Sequence, residues 1–106
     1  MTVHRPVVLL TTAGSLPEAE RLSRLLLEKR LAACVNLSSI RSRYRWQGKI
    51  ERGKEVLLLV KTEARHLKAI GRCIRSAHSY EVPELIALPI QWGEKHYLRW
   101  LIESVR

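Results

Sequence analysis

No aspartate occurs anywhere in this sequence, and no phenylalanine. All ten acidic residues are therefore glutamate. That weighs against a Ca²⁺ or Mg²⁺ site built from clustered short carboxylates, and it removes the aspartate from any Ser/His/Asp triad. Cysteine is scarce: Cys34 and Cys73 are too few for a disulfide scaffold, and two free thiols in a reducing compartment are the expectation. No stretch approaches 18 consecutive apolar residues, which excludes a membrane-spanning helix. The start, Met1-Thr2-Val3-His4-Arg5-Pro6, has no signal-peptide pattern, so a soluble cytoplasmic protein is expected.

What is present suits one folded domain spanning residues 1–106. Hydrophobic residues make up 46% and charged residues 27%, a balance that builds a core and argues against disorder. The net charge is +9. Val7–Thr12 is short, apolar and β-branched, and reads as a buried strand. Gly14-Ser15-Leu16-Pro17 ends it, with Ser15 as a helix cap and Pro17 in the first turn. Leu22, Leu25 and Leu26 then recur at helical spacing within a predicted helix from Glu18 to Leu31.

Ala32–Leu37 begins a second strand that continues through Arg41–Trp46, where Arg41, Arg43 and Arg45 share one face and Tyr44 and Trp46 the other. Gln47-Gly48-Lys49 turns the chain, and Ile50–Lys61 returns. The two arms, about 12 residues each against a usual ~5–6, would project beyond a small sheet, and a neighbouring subunit is the simplest cover for their far end. Glu63–Ala77 carries Leu67, Ile70 and Ile74 on one side and Arg65, Lys68, Arg72 and Arg75 on another, as in an amphipathic helix. Val82–Ile90, bounded by Pro83 and Pro89, reads as an edge strand. A last helix after Gly93 would turn Tyr97, Leu98, Leu101, Ile102 and Val105 inward. The order βαββαβ plus a C-terminal helix predicts an α+β, ferredoxin-like fold: a four-stranded antiparallel sheet with two helices on one face.

Four chemistries can be weighed on these residues. The segment Arg41–Glu55 holds six basic residues and two glutamates, but the return strand Val56–Val60 lacks the aromatics that RNA-recognition sheets place there, so a nucleic-acid partner is not favoured. For a metal, Cys34, Cys73 and the four histidines show no ligand spacing; His78 with Glu81 is the best local pair. For nucleophilic catalysis, Cys34 has no base near it and reads as a buried thiol. For an anion, Lys61 and Arg65 bracket the start of the second helix, with no glycine-rich loop before it.

Three ordered segments carry a resemblance: Leu31-Ala32-Ala33-Cys34-Val35-Asn36; Tyr44-Arg45-Trp46-Gln47-Gly48-Lys49-Ile50 through to Val60-Lys61-Thr62; and His78-Ser79-Tyr80-Glu81-Val82-Pro83-Glu84 through to Pro89. Tyr97-Leu98-Arg99-Trp100-Leu101 fits the same pattern. Together they resemble the CutA family of divalent-cation tolerance proteins over nearly the whole chain. The resemblance implies a ferredoxin-like subunit in a tight homotrimer whose long hairpins pair with neighbouring subunits, an assembly similar to that of the PII signalling proteins. It implies binding of copper or another divalent cation and does not imply an enzyme, so a non-catalytic protein is the expectation.

It also implies an intersubunit cleft lined by Cys34, Trp46, Lys61, Tyr80, Glu81 and Glu84, with His78 as the residue able to hold a metal. Lys61 would attract an anion or pair with Glu81. The chain departs from the family at three places. Ser79 stands in the usual His-Pro-Tyr, and Leu10 and Ala77 occupy positions where some members carry the cysteine and histidine credited with copper. A copper site on those two ligands cannot exist in this sequence. A trimeric, PII-like sensor of a small anionic ligand and a nucleic-acid-binding basic module are the alternative readings.

Overall fold

In the computed structural model, which describes residues 3–106, the elements run β1 (Pro6–Ala13), α1 (Leu16–Glu28), β2 (Cys34–Trp46), β3 (Lys49–Glu63), a 3₁₀ turn (Ala64–His66), α2 (Leu67–Ala77), β4 (Ile86–Pro89) and α3 (Lys95–Ser104). The four strands form one antiparallel sheet in the order β2-β3-β1-β4. This is the predicted α+β, ferredoxin-like topology.

Local chemistry sets the boundaries. The Ser15 hydroxyl accepts from the Glu18 N–H at 3.3 Å and caps α1, and Pro17 lies in its first turn. The helix ends at Glu28, earlier than the predicted Leu31. Arg30 takes a left-handed conformation (φ 56°), its N–H reaches the Leu27 carbonyl, and the Leu31 N–H reaches that of Leu26. That pair of bonds closes the helix end and turns Leu31 back onto the core. Glu63 belongs to β3 rather than to the following helix, and the α-helical pitch starts only at Leu67, after the 3₁₀ turn.

β4 is shorter than the predicted Val82–Ile90: only Ile86–Pro89 joins the sheet, at its edge against β1. Residues 82–85 stay outside the ladder, where Pro83 has no N–H to donate. Leu101 of α3 and Val105, which caps it, are fully buried, Leu98 and Ile102 are half-buried, and Tyr97 is exposed.

The core fills the space between one sheet face and two helices. Leu9, Val56, Leu58 and Val60 from the strands meet Leu22 and Leu26 of α1 and Ile70 and Ile74 of α2. Alternation along the strands leaves the opposite face with half-buried Val8, Leu10, Leu57 and Leu59. The β2–β3 hairpin, with arms of 13 and 15 residues, runs past this core and gives the molecule its long dimension of 49 Å. Its two-residue loop has φ of 50° at Gln47 and 78° at Gly48, the positive values a tight hairpin turn demands.

Candidate functional site

The loop from His78 to Glu84 leaves α2 and crosses the end of β1 beside the root of the hairpin. His78 fixes its start. Its Nδ1 accepts the Tyr80 N–H at 2.9 Å, so its proton sits on Nε2, which donates to the Thr12 carbonyl at 2.6 Å. The side chain is fully buried. With both nitrogens engaged, no imidazole lone pair is free for a metal in this arrangement. The acid beside it is Glu18, 3.8 Å from Nδ1. Glu81, its predicted neighbour, forms no hydrogen bond or ion pair among the described residues.

Glu18 is the hub that the sequence did not reveal. It is 8% exposed, in the first turn of α1, and accepts the Ser79 N–H at 2.8 Å, the Ser79 hydroxyl at 3.0 Å and the Gly14 N–H at 3.3 Å. Burial opposes its ionisation, but the Ser79 and Gly14 donors and the nearby His78 outweigh that and hold its carboxyl below the usual carboxylate range. A proline at position 79 would offer neither the N–H nor the hydroxyl. In this chain Ser79 replaces the stiffness of a ring with two hydrogen bonds to a buried carboxylate.

Tyr80 comes next. Its ring packs against His78, with centroids 4.7 Å apart, and its hydroxyl donates to Glu55 at 2.9 Å. Burial and the Glu55 carboxylate together push the phenol up to about 12. Glu55 is held below its usual range: burial opposes ionisation, and the Ser42, Tyr80 and Thr12 hydroxyls overcome it. The Tyr80 ring also lies over Gly14, where any side chain would begin 3.3 Å from the tyrosine oxygen.

Around this bond lies a cavity of about 470 Å³ lined by Thr12, Tyr44, Trp46, Glu55, Tyr80, Glu81 and Glu84 among others. Four of the predicted cleft residues therefore share one cavity: Trp46, Tyr80, Glu81 and Glu84. Cys34 and Lys61 do not belong to it. They face each other across the far end of the same ladder, about 40 Å along β2 from Trp46 at the usual strand rise. Lys61 lies over the Tyr97 ring, 5.9 Å from its centroid, and makes no ion pair with Glu81. Among the described residues, no group of three or more His, Cys or Glu side chains converges as a metal site would require.

The fold and this cavity define a small ferredoxin-like domain with acidic residues gathered at the root of a projecting hairpin. The family described as "CutA1 divalent ion tolerance protein" matches residues 7–104. The divalent-cation tolerance protein CutA of Archaeoglobus fulgidus is 45% identical over 94 residues, covering 89% of this chain and 92% of that protein. The protein of the same name from Pectobacterium atrosepticum is 45% identical over 101 residues, 94% of this chain and 92% of that one. A solved structure of the Archaeoglobus protein, described as periplasmic, superposes with a TM-score of 0.92 at 41% identity, over 98% of this chain and 100% of that one. The chain belongs to the CutA divalent-cation tolerance family. No helix among the described residues is long and apolar enough to cross a membrane.

Proposed function

We propose that this chain is a non-catalytic, cytoplasmic homotrimer that takes up copper or another divalent cation between its subunits. The observation that carries the reading is the split of the cleft: Trp46, Tyr80, Glu81 and Glu84 gather at one end of the hairpin and Cys34 and Lys61 at the other. A neighbouring copy that lays its own Cys34–Lys61 end beside the cavity would complete the set. Exposed apolar side chains support association, with Tyr44 and Trp46 on one face of the hairpin and Ile86 and Leu88 on the β4 edge.

Within the cavity, Glu81 and Glu84 are the carboxylates without a partner among the described residues, whereas Glu55 is already bonded by Tyr80. Carboxylate oxygens, with a thiolate from a neighbour, are ligands that copper and zinc accept. His78 serves as a positioning residue that sets Tyr80. The cytoplasm is where the two free cysteines would persist as thiols.

Calorimetric titration of Cu²⁺ and Zn²⁺ into the full chain, with the Glu81→Gln/Glu84→Gln variant alongside, tests the reading. Saturable binding at one site per subunit that disappears in the variant is the expected result. Binding that the variant leaves unchanged would overturn the assignment.

A further inference from the structure

We propose that the helix-side face of the hairpin is a docking surface for a linear condensed phosphate, an inorganic polyphosphate chain. The register sets Arg41 opposite Lys54 and Arg43 opposite Arg52, with Arg45 next along the same face. Side chains directly opposed on an antiparallel ribbon stand ~4.5–5.5 Å apart at Cβ, and alternate residues follow at about 6.8 Å, so five cations occupy a strip roughly 14 Å long. All five are exposed, and none forms an ion pair among the described residues. Like charges directly across a ladder destabilise it. The acids of the hairpin cannot relieve them, because Glu51 opposes Tyr44 and Glu55 opposes Ile40, on the other face. The partner that this strip lacks is an anion from outside the chain.

The composition of the strip selects the kind of anion. Four of the five cations are arginines, whose planar forks grip two phosphate oxygens at once. Tyr44 and Trp46 lie on the opposite face by register, so the strip has no platform on which bases could stack. It has no Asn or Gln to read base edges. Its one apolar member, Ile50 opposite Arg45, is 72% exposed and offers no pocket in which a peptide side chain could anchor. Evenly spaced positive charge, with nothing else beside it, fits a ligand that is phosphate along its length. At the root of the strip, Arg41 and Lys54 border a cleft of about 350 Å³ that Gly14, Leu16 and Glu55 also line, so the uniformly basic strip ends there.

Inorganic polyphosphate titrated into the full chain, followed by calorimetry across a salt series, tests this. The Arg41→Glu/Arg52→Glu variant reverses two charges while giving each a cross-strand partner, Lys54 and Arg43, so its fold is not put at risk. The wild type should bind with affinity that falls as salt rises, and this variant should lose at least about tenfold. Lys68→Glu/Arg72→Glu, the same charge change placed on α2, should stay within about twofold. An equal loss in the α2 variant would overturn the proposal, since binding would then report net charge alone. So would the absence of wild-type binding at about 50 mM salt, or tighter binding of polyglutamate or duplex DNA at equal charge. None of these outcomes depends on whether a divalent cation binds at Glu81 and Glu84.

Discussion

The two halves of the β2–β3 hairpin share one continuous ladder and differ in everything that holds it together. At the root, Val56, Leu58 and Val60 of β3 are buried beneath α1 and α2, and each pair across to β2 is backed by the core. At the tip, residues 41–54 are exposed almost throughout, and two of the pairs set cation against cation. The root is stable because apolar surface leaves water. The tip is held by backbone hydrogen bonds and its tight turn, so its side chains are free to serve a partner instead of the fold. The loop at residues 78–84 sits where the two regimes meet, tied to the core by buried Glu18 and to the hairpin by the Tyr80–Glu55 bond.

Substitutions can break or sharpen this contrast. The largest effect belongs to the root: Leu58→Ala, at a fully buried position, should cost ~2–5 kcal/mol in chemical denaturation. Ile50→Ala at the tip should stay within about 0.5 kcal/mol. Comparable losses at the two positions would erase the distinction.

Next is Glu18→Ala, which strips the acceptor from the Ser79 and Gly14 N–H groups and should cost about 1–3 kcal/mol. The same residue gives a pH signature. Its folded carboxyl lies below the usual 4.5, so its stabilisation is present above that value and is lost as pH falls through the lowered one. Denaturation midpoints of the wild type should drop on the acid side, and those of Glu18→Ala should drop less steeply.

Tyr80→Phe should cost about 0.5–1.5 kcal/mol and remove one phenol from the tyrosinate absorbance titration, the one that ionises at about 12 rather than 10.0. Because that proton is held more tightly in the fold, its contribution is present below the ordinary phenol value and fades as pH rises through about 12. A titration in which all three tyrosines ionise together would contradict the Tyr80–Glu55 bond. The smallest effect should be a gain: Arg52→Glu, which replaces the Arg43–Arg52 opposition with an attractive pair, should stabilise by roughly 0.2–1 kcal/mol. A loss there would mean that the opposed cations are already neutralised within the protein.

The architecture was legible because it rests on local signals. Period-two and helical spacing, the Ser15 cap and the Gln47-Gly48 turn each act within a few residues. Boundaries slipped where a longer-range preference decided them. Arg30 adopts a conformation usually left to glycine, and the sequence around Pro83 carries strand composition without strand pairing.

The site was half legible. Trp46, Tyr80, Glu81 and Glu84 do share a cavity. Cys34 and Lys61 lie at the other end of the ladder, because resemblance groups residues without placing them in the fold. Glu18, Glu55 and Thr12 gave no signal, since an acid on the first turn of a helix reads as ordinary charge until the fold brings Ser79, 61 positions on, into its reach. The pairing of His78 with Glu81 failed for the converse reason: proximity in sequence did not survive the turn of the loop.

The central claim is that the cleft is completed only between copies of the chain. Sedimentation equilibrium of the full chain at low micromolar concentration tests it most directly. The account predicts a single species with the mass of three 12.3 kDa chains. A species of one chain mass would contradict it, because Cys34 and Lys61 would then have no means of reaching the cavity at Tyr80.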